Sequence, residues 1–359
     1  MSELVETSTE RLPVSVLTGF LGSGKTTLLQ QLLKGEGGRR TAVLINEFGE
    51  ISIDHLMVRA ISGNTVVLQN GCVCCSVRSE LRSGLRDLLD GRDKGEVPEF
   101  ERIVIETTGL ADPVPVVQTV RIDTMLRHQL RLANLVSTVD GLNGLEQLGT
   151  QEEAIRQAST ADRLVITKTD LCDQQQVMRL ERALSRLNPL APISRTPNED
   201  DLWDLLVRRD SFDPQSRSAE VRSWLEAADK LSSDPPLVPE EHAHSRHGRS
   251  IVSFAIRIPQ TVDWAPLSVW LSLLVHRHGR NVLRIKGLLG VPGPKGPMSL
   301  NVVQNFVHVP VHLDGWPDAD HSSRLVFIVQ DLDEKAIRLS LANFLRRASQ
   351  IEQIDTKAG

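Results

Sequence analysis

The amino-acid sequence predicts an α/β protein with a doubly wound, mostly parallel sheet, followed by a smaller C-terminal α+β domain. Three observations lead to this prediction. Short β-branched runs alternate with longer amphipathic runs over the first half of the chain, a glycine-rich loop joins the first strand to the first helix, and strand-like alternation returns after residue 250. Strands separated by helices are typical of parallel sheets, which bind ligands at the carboxyl ends of their strands.

Six runs in the first half have the composition of buried strands. They are VSVLT at 14–18, TAVLIN at 41–46, TVVLQ at 65–69, RIVIET at 102–107, LVSTVD at 135–140 and RLVITK at 163–168. Amphipathic helices are expected between and after them, for instance over 77–89, where the leucines fall on one face, and over 174–187.

The second half of the chain begins with a segment rich in Ser, Asp, Pro and His, in which we expect one helix over 218–231. Strands are then predicted at 251–258, 281–289, 301–309 and 324–330, and helices at 266–276 and 334–347. These patterns divide the chain into a disordered lead-in (1–11), a first domain (12–210), a linker (211–249), a C-terminal α+β domain (250–347) and a tail (348–359).

Composition limits the function classes that the chain can serve. Of the 359 residues, 40% are hydrophobic but only 4% are aromatic, so the core must consist mostly of Val, Ile and Leu. A net charge of −5 provides no basic surface for nucleic acid or anionic membrane. No apolar run approaches the roughly 20 residues of a membrane span, and the polar first ten residues do not resemble a secretion signal. We therefore expect a cytoplasmic protein with no nucleic-acid and no membrane partner.

The most informative stretch is LTGFLGSGKTTLL at 17–29, which contains the phosphate-loop pattern G-x-x-x-x-G-K-[ST]. Its glycines let backbone N–H groups surround a polyphosphate, while Lys25 reaches the β- and γ-phosphates and Thr26 can bind Mg²⁺. A strand precedes the loop and a helix follows it, so the fold expected is that of a P-loop NTPase. The residues predicted to bind the nucleotide here are Gly19, Phe20, Leu21, Gly22, Ser23, Gly24, Lys25, Thr26 and Thr27.

The segment at the end of the fourth predicted strand completes the predicted phosphate site. Glu106 ends the strand RIVIE, where an acid can hold the Mg²⁺ shell, and Gly109 can offer its N–H to the γ-phosphate. Asp is the usual acid at this position. Lys25, Thr26 and Glu106 are therefore the predicted catalytic residues.

The segment NEFGEISID at 46–54 follows the second strand and is placed to fold over the γ-phosphate. Glu47 and Glu50, together with Asp54, can hold Mg²⁺, a second metal ion or the attacking water. A solvated acidic loop is the alternative for this segment.

The sequence TKTD at 167–170 follows the last strand of the first domain and predicts a guanine site. Asp170 can accept two hydrogen bonds from guanine that adenine cannot supply, and Lys168 can lie across the base. The usual first residue of this motif is Asn. Thr167 cannot reproduce an amide, so we expect guanine selectivity to depend more heavily on Asp170, with GTP favoured over ATP.

Three of the four cysteines crowd into the segment GCVCCS at 71–76. Cys72, Cys74 and Cys75 precede a helix, whose N-terminus lowers thiol pKa values and favours thiolates. Three sulfurs suit a soft tetrahedral ion such as Zn²⁺ or Co²⁺ and leave one coordination position open. A redox thiol cluster and buried, unreactive cysteines are the alternatives, and the fourth cysteine, Cys172, is interpreted as structural.

The linker carries a short histidine tract, EEHAHSRH at 240–247. His242, His244 and His247 can exchange metal with the sulfurs, since histidine-rich tracts bind such ions. A polar linker without metal is the alternative.

Taken together, GFLGSGKTTLL, NEFGEISID, NGCVCCS, IETTGLADP and TKTDL resemble the CobW-type family of P-loop GTPases, cobalamin-synthesis relatives that act as metallochaperones. The resemblance covers residues 13–345, because RIKG at 284–287 and LVFIV at 325–329 are similar to the family's C-terminal domain. It implies GTP and Mg²⁺ at the phosphate loop and Glu106, guanine at Lys168 and Asp170, and zinc or a similar ion at the three sulfurs. It also implies that Thr167 is an accepted replacement for Asn.

These inferences combine into one hypothesis: a GTPase that binds zinc and transfers it to a metalloprotein client when GTP is hydrolysed. A homodimer is kept open. Cobalt or iron insertion for cobalamin synthesis or nitrile hydratase activation, and a regulatory GTPase without metal transfer, are the alternatives. A kinase is a further rival, which would need a second substrate pocket and would prefer ATP.

Overall fold

The computed structural model describes residues 11–34, 40–46, 67–69, 77–195, 206, 225, 231, 251–293 and 296–355. The described residues form two compact units: those that fall within 1–184 and 191–217, and those that fall within 185–190 and 218–359. The domain boundaries given above stay a prediction. Among the described helices, none has both the length and the apolar character needed to cross a membrane.

The first unit is built on a parallel sheet of seven strands. The strands are β1 (Leu12–Gly19), β2 (Thr41–Asn46), β3 (Val67–Gln69), β4 (Arg102–Thr107), β5 (Leu130–Asp140), β6 (Arg163–Thr167) and β7 (Ile193–Arg195). They lie in the order β3-β2-β4-β1-β5-β6-β7. Strands β2, β3 and β4 lie on one side of β1, and strands β5, β6 and β7 lie on the other. The direction in which strands are added therefore reverses at β1, and doubly wound sheets bind ligands in the crevice at such a reversal.

Helices cover this sheet and bury its Val, Ile and Leu side chains. They are α1 (Lys25–Lys34), α2 (Val77–Asp93), α3 (Val114–Ile122), α4 (Leu126–Gln129), α5 (Gly144–Thr150), α6 (Glu152–Thr160) and α7 (Gln174–Leu187). One core cluster contains the apolar face of α2 together with alternate residues of β1 and β4, and a second contains that of α1. The α/β fold predicted from the alternating runs is confirmed.

In the described part of the second unit, an antiparallel sheet packs with two long helices. Its strands are β8 (Ile251–Ile258), β9 (Val282–Leu289), β10 (Met298–Val303), β11 (Phe306–Val307), β12 (Val311–His312) and β13 (Ser323–Gln330). The strand order is β11-β10-β9-β13-β8, with β12 paired to β10. Helices α8 (Trp264–His278) and α9 (Glu334–Asp355) bury apolar residues in one cluster with β9 and β13, including a stacked pair of Phe254 and Phe327.

The structure corrects three details of the element prediction. The run at 301–309 is not one strand, because Gln304 adopts a left-handed φ of 49° and the chain reverses there, so that β10 pairs with β11. Strand β7 was not predicted, since its three residues are too short for a periodic pattern. Helix α9 continues to Asp355, past the predicted end at residue 347.

Candidate nucleotide-binding site

The phosphate loop lies between β1 and α1, at the carboxyl edge of the parallel sheet. Strand β1 ends at Gly19, the N–H of Ser23 donates to the carbonyl of Phe20 over 3.1 Å, and α1 begins at Lys25. Gly24 has a φ of 84°, in the left-handed region that favours glycine. A Cβ at Gly19 would collide with the hydroxyl and carbonyl oxygens of Thr138 on β5, so a side chain is excluded there. Both glycines are therefore required by the loop's shape.

Lys25 lies across this loop. Its ammonium donates to the carbonyl of Gly19 over 2.9 Å and to that of Phe20 over 3.1 Å, and the residue is 9% exposed. The N-terminal end of α1 contributes its positive dipole at the same place. The loop therefore combines a lysine charge with a helix N-terminus, which is the combination that binds polyphosphate.

Thr26 and Glu106 meet beside the loop. The Thr26 hydroxyl donates to Glu106 Oε1 over 2.8 Å, although the two residues are 80 positions apart in sequence. Glu106 is 4% exposed at the end of β4, in register with Leu17 of β1 and Ile45 of β2. A hydroxyl and a carboxylate are hard oxygen donors of the kind that Mg²⁺ prefers, so the residues present fit a magnesium ion.

The segment after β4 packs directly on the phosphate loop. An ideal Cβ on Gly109 would lie 2.7 Å from the backbone nitrogen of Leu21 and 2.8 Å from its Cα. The side-chain amide of Gln157, on α6, donates to the carbonyls of Gly109 and Ala111, both over 3.0 Å. The predicted γ-phosphate loop is thus held between the phosphate loop on one side and a helix on the other.

The TKTD residues lie at the end of β6. The Thr167 hydroxyl donates to the Ser23 carbonyl over 2.8 Å, which ties the end of β6 to the phosphate loop. The sequence predicted Thr167 as part of the guanine site but gave no indication of this contact with the phosphate loop. Lys168 has a φ of 54°, and Asp170 is exposed in the short turn Thr169–Leu171 that follows. A left-handed lysine before an exposed carboxylate is the kind of local strain found at functional sites.

Asp140, which the sequence analysis did not select, holds Lys168. Asp140 Oδ2 accepts from Lys168 Nζ over 2.8 Å, and the aspartate is 1% exposed at the end of β5. Burial raises the pKa of this carboxyl, but hydrogen bonds from Lys168, Asn143 and the N–H of Leu142 outweigh it, so the pKa lies below the ordinary value. Asp140 therefore stays ionised near neutral pH.

Cys172 lies behind the same turn. Its thiol donates to the carbonyl of Lys168 over 3.2 Å. Burial, followed by the charges of Asp140, Asp170 and Asp173, raises the pKa of this thiol. A neutral thiol in a backbone contact is consistent with the structural role expected from the sequence.

Buried hydroxyls connect the strand ends around the site. The hydroxyl groups of Ser23 and Thr138 lie 2.7 Å apart, and that of Thr107 donates to that of Thr18 over 2.9 Å. The sequence analysis selected Ser23 but missed Thr138, Thr107 and Thr18, together with Asp140 and Gln157. The available signal was the presence of Ser, Thr and Asp at the last positions of otherwise apolar strands, where a side chain must find a polar partner.

The predicted zinc ligands, the predicted switch acids and the histidine tract lie outside the described residues. They are Cys72, Cys74, Cys75, Glu47, Glu50, Asp54, His242, His244 and His247. Among the residues that the structure does describe, no group of three His, Cys, Asp or Glu side chains can hold a metal ion. The structure does describe the ends of β2 and β3, the strands that precede the switch acids and the cysteines in the sequence. Asn46 at the end of β2 pairs with Thr107, while Gln69 at the end of β3 and Glu106 both pair with Ile45.

The fold and the site together define a P-loop nucleotide-binding protein. Within this class the chain belongs to the CobW family. Residues 13–195 match the CobW/HypB/UreG nucleotide-binding domain, and residues 251–345 match the cobalamin synthesis protein cobW C-terminal domain. The resemblance predicted from the sequence motifs is confirmed.

Several relatives match most of the chain. The zinc chaperone YjiA of Escherichia coli is 32% identical over 331 residues, which cover 92% of this chain and 98% of that protein. The zinc-regulated GTPase metalloprotein activator 1 of Schizosaccharomyces pombe is 31% identical, over 74% of this chain and 68% of that protein. The crystal structure of Zn(II)-bound YjiA GTPase from E. coli superposes with a TM-score of 0.70 at 30% identity, over 93% of this chain and 99% of that chain.

Proposed function

We propose that the protein is a GTPase that binds zinc at Cys72, Cys74 and Cys75 and transfers it to a metalloprotein client as GTP is hydrolysed. The observation that carries this proposal is the register at the carboxyl edge of the sheet. Strand β3, which precedes the cysteine segment in the sequence, ends at Gln69. Gln69 and Glu106 both pair with Ile45 of β2, so they lie at the same level on either side of that strand. Since neighbouring strands are about 4.8 Å apart, Gln69 lies about 10 Å from Glu106, which is proposed to hold Mg²⁺ with Thr26.

The nucleotide half of the proposal assigns roles to the described residues. Residues 19–27 bind the phosphates, with Lys25 neutralising charge on the β- and γ-phosphates. Thr26 and Glu106 hold Mg²⁺, which supplies charge stabilisation when bound. Gly109 offers its N–H to the γ-phosphate. Thr167, Lys168 and Asp170 form the guanine site, in which Asp140 keeps the lysine in place.

The metal half rests on chemistry and on the relatives. Three thiolates suit zinc, and a site with an open position allows the ion to leave. Two relatives that match more than nine-tenths of the chain are named zinc chaperones, and a third, which matches 74% of it, is named a zinc-regulated GTPase metalloprotein activator. Zinc is the cargo in this proposal, with Co²⁺ as a chemically similar substitute. Glu47 and Glu50 adjoin the end of β2 and are assigned to the nucleotide switch, and the three histidines to weak metal capture.

The partners in this proposal are GTP, the metal ion and a cytoplasmic metalloprotein client, with a homodimer as the candidate assembly. Hydrolysis is expected to be slow in the isolated protein, because no arginine finger or water-positioning glutamine is evident from the sequence. Zinc or the client should accelerate it.

Metal analysis of the purified protein with and without GTP tests the zinc site. The triple variant with Cys72, Cys74 and Cys75 changed to Ser should lose its zinc, since hydroxyl groups are poor zinc ligands at neutral pH. Cys172→Ser is the matched control and should keep it, because Cys172 contacts a backbone carbonyl. Zinc retained at full stoichiometry by the triple variant would refute the assignment.

Nucleotide competition tests the proposed guanine-nucleotide site. A fluorescent GTP analogue should be displaced by GTP and GDP but not by ATP, since a site built to pair guanine rejects a base without the matching groups. Equal displacement by ATP would favour the phosphotransferase alternative.

A further inference from the structure

Gln157 is a buried polar residue that the proposed function has not yet used. It lies on α6, is 1% exposed, and donates through its single amide nitrogen to the carbonyls of Gly109 and Ala111, each over 3.0 Å. These carbonyls are 48 and 46 positions away in sequence. One side chain therefore holds both ends of a three-residue segment of the loop after β4.

The orientation of this amide is fixed by chemistry. Both partners are carbonyl oxygens, which can only accept, so the NH₂ group must face them and the amide oxygen must point away. That oxygen, Oε1, is buried and has no hydrogen-bond partner within the described part of the chain. Burial of an acceptor without a partner destabilises a fold. The stability of α6 therefore does not explain why residue 157 carries an amide. The two hydrogen bonds that hold the loop after β4 do explain it.

The segment that Gln157 holds is itself pressed against the phosphate loop. The Cα of Gly109 faces the backbone of Leu21 so closely that no side chain fits between them, and the N–H of Ala111 donates to the carbonyl of Thr108 over 3.1 Å. The loop is thus clamped from one side by Gln157 and supported on the other by the phosphate loop. A displacement of either contact would move the N–H of Gly109 relative to the phosphate loop.

We propose that Gln157 is a positioning residue that sets how well the site distinguishes a nucleoside triphosphate from a diphosphate. The inference rests on the proposed function, in which the N–H of Gly109 meets the terminal phosphate. A diphosphate has no group at that place, so the clamp contributes to binding and hydrolysis of the triphosphate but not to binding of the diphosphate.

Gln157→Met tests this proposal, because methionine has similar length and volume but no donor. Affinities for GDP and for a slowly hydrolysed GTP analogue should be measured by fluorescence titration, together with kcat/KM for GTP and the melting temperature. We expect GDP affinity within about twofold of the unchanged protein, and affinity for the GTP analogue and kcat/KM for GTP about tenfold lower, which is the effect of one lost hydrogen bond of ordinary strength. An equal loss of affinity for both nucleotides, or no loss for either, would overturn the inference.

Gln157→Glu provides a second readout that a space-filling role would not change. An ionised carboxylate faces two carbonyls unfavourably, whereas a protonated one can donate to one of them. Burial raises the pKa of such a carboxyl, so kcat/KM of this variant for GTP, relative to the unchanged protein, should rise as the pH falls from about 8 towards 6. A ratio that does not change with pH would contradict the clamp.

Ser159→Ala is the matched control for both variants. Ser159 is buried on the same helix, and its hydroxyl donates to the carbonyls of Ile155 and Arg156 within that helix. Its GTP-analogue to GDP affinity ratio should equal that of the unchanged protein, and a change of the ratio would assign the effect to the helix and refute the clamp. Failure of the unchanged protein to bind or hydrolyse GTP would instead refute the proposed function, so the two failures are distinguishable.

Discussion

At the scale of single residues, the candidate site is defined by polar groups that are buried and paired within the described structure. Glu106 accepts from Thr26, Asp140 accepts from Lys168, and Gln157 holds a loop from an adjacent helix. Each pair joins residues that are distant in sequence. Because a buried polar group must be hydrogen-bonded to be tolerated, each pair also fixes the position of the strand end that carries it.

Gly109→Ala should impair nucleotide hydrolysis through a steric conflict. The new methyl group would lie 2.7 Å from the nitrogen of Leu21, and backbone atoms cannot yield as a flexible side chain can. Overpacking of this kind costs about 1–3 kcal/mol, so we expect kcat/KM for GTP to fall roughly 5- to 150-fold. Gly149→Ala is the control, because a Cβ there meets nothing within 4 Å. Steady-state kinetics of the two variants should differ, and equal activities would show that the loop is free to move.

Asp140→Asn should destabilise the protein in a pH-dependent way. The amide loses the charge that pairs with Lys168, and we expect a loss of about 1–2 kcal/mol at pH 7, discounted because the lysine side chain is 34% exposed. The pKa of Asp140 is lowered in the folded protein. The contribution of Asp140 to the free energy of unfolding is therefore fully present above the ordinary carboxyl pKa of about 4. It is lost as the pH falls through the lower pKa of the folded protein.

Urea unfolding from pH 8 to pH 3 checks this expectation. The difference in unfolding free energy between the unchanged protein and Asp140→Asn should be constant at neutral pH and should narrow below about pH 4. Glu146→Gln, an exposed carboxylate on the next helix, is the control and should show little difference. A difference that persists unchanged at pH 3 would mean that the Asp140 charge does not stabilise the fold.

At the scale of elements, the long strands could be predicted and the contacts between their ends could not. Apolar runs such as 102–107 and 163–167 are determined by burial on both faces, which sequence patterns record directly. The hairpin at Gln304 was missed because its reversal depends on one left-handed residue that is neither Gly nor Asn. The tie from Thr167 to Ser23 depends on which strands become neighbours, and that follows from the order of strands in the sheet rather than from local pattern.

Thr167→Val tests the tie between β6 and the phosphate loop. Valine keeps the shape of threonine but leaves the carbonyl of Ser23 without this donor, at a cost of about 1 kcal/mol. We expect a lower melting temperature and a nucleotide affinity several-fold weaker, because the loop is less well positioned. Thr167→Ser keeps the hydroxyl and should retain the affinity. Calorimetric titration measures the GDP affinity of both variants. If Thr167→Val binds GDP as tightly as the unchanged protein, this hydrogen bond does not contribute to nucleotide binding.

At the scale of the whole molecule, the parallel sheet brings the ends of separate strands to one edge. Asn46 and Gln69 lie at the carboxyl ends of β2 and β3, on the same edge as Glu106. In the sequence, the predicted switch acids follow Asn46 and the predicted zinc-binding cysteines follow Gln69. Under the proposed function, loss of the γ-phosphate is therefore expected to act on the zinc site through these neighbouring strand ends.

This arrangement predicts a reciprocal coupling between zinc and nucleotide. If a GTP analogue changes zinc affinity by some factor relative to GDP, zinc must change the ratio of the two nucleotide affinities by the same factor, because the four states form a closed thermodynamic cycle. Couplings in proteins are commonly about 1–3 kcal/mol, so we expect a factor of roughly 5 to 150. Calorimetric titration of zinc into both nucleotide states, and of both nucleotides into the zinc-free and zinc-bound protein, measures all four sides of the cycle. The variant with all three cysteines changed to Ser should bind both nucleotides normally and show no dependence on zinc. Equal zinc affinities in the two nucleotide states of the unchanged protein would reject the switch and leave a GTPase whose metal site is independent of its nucleotide.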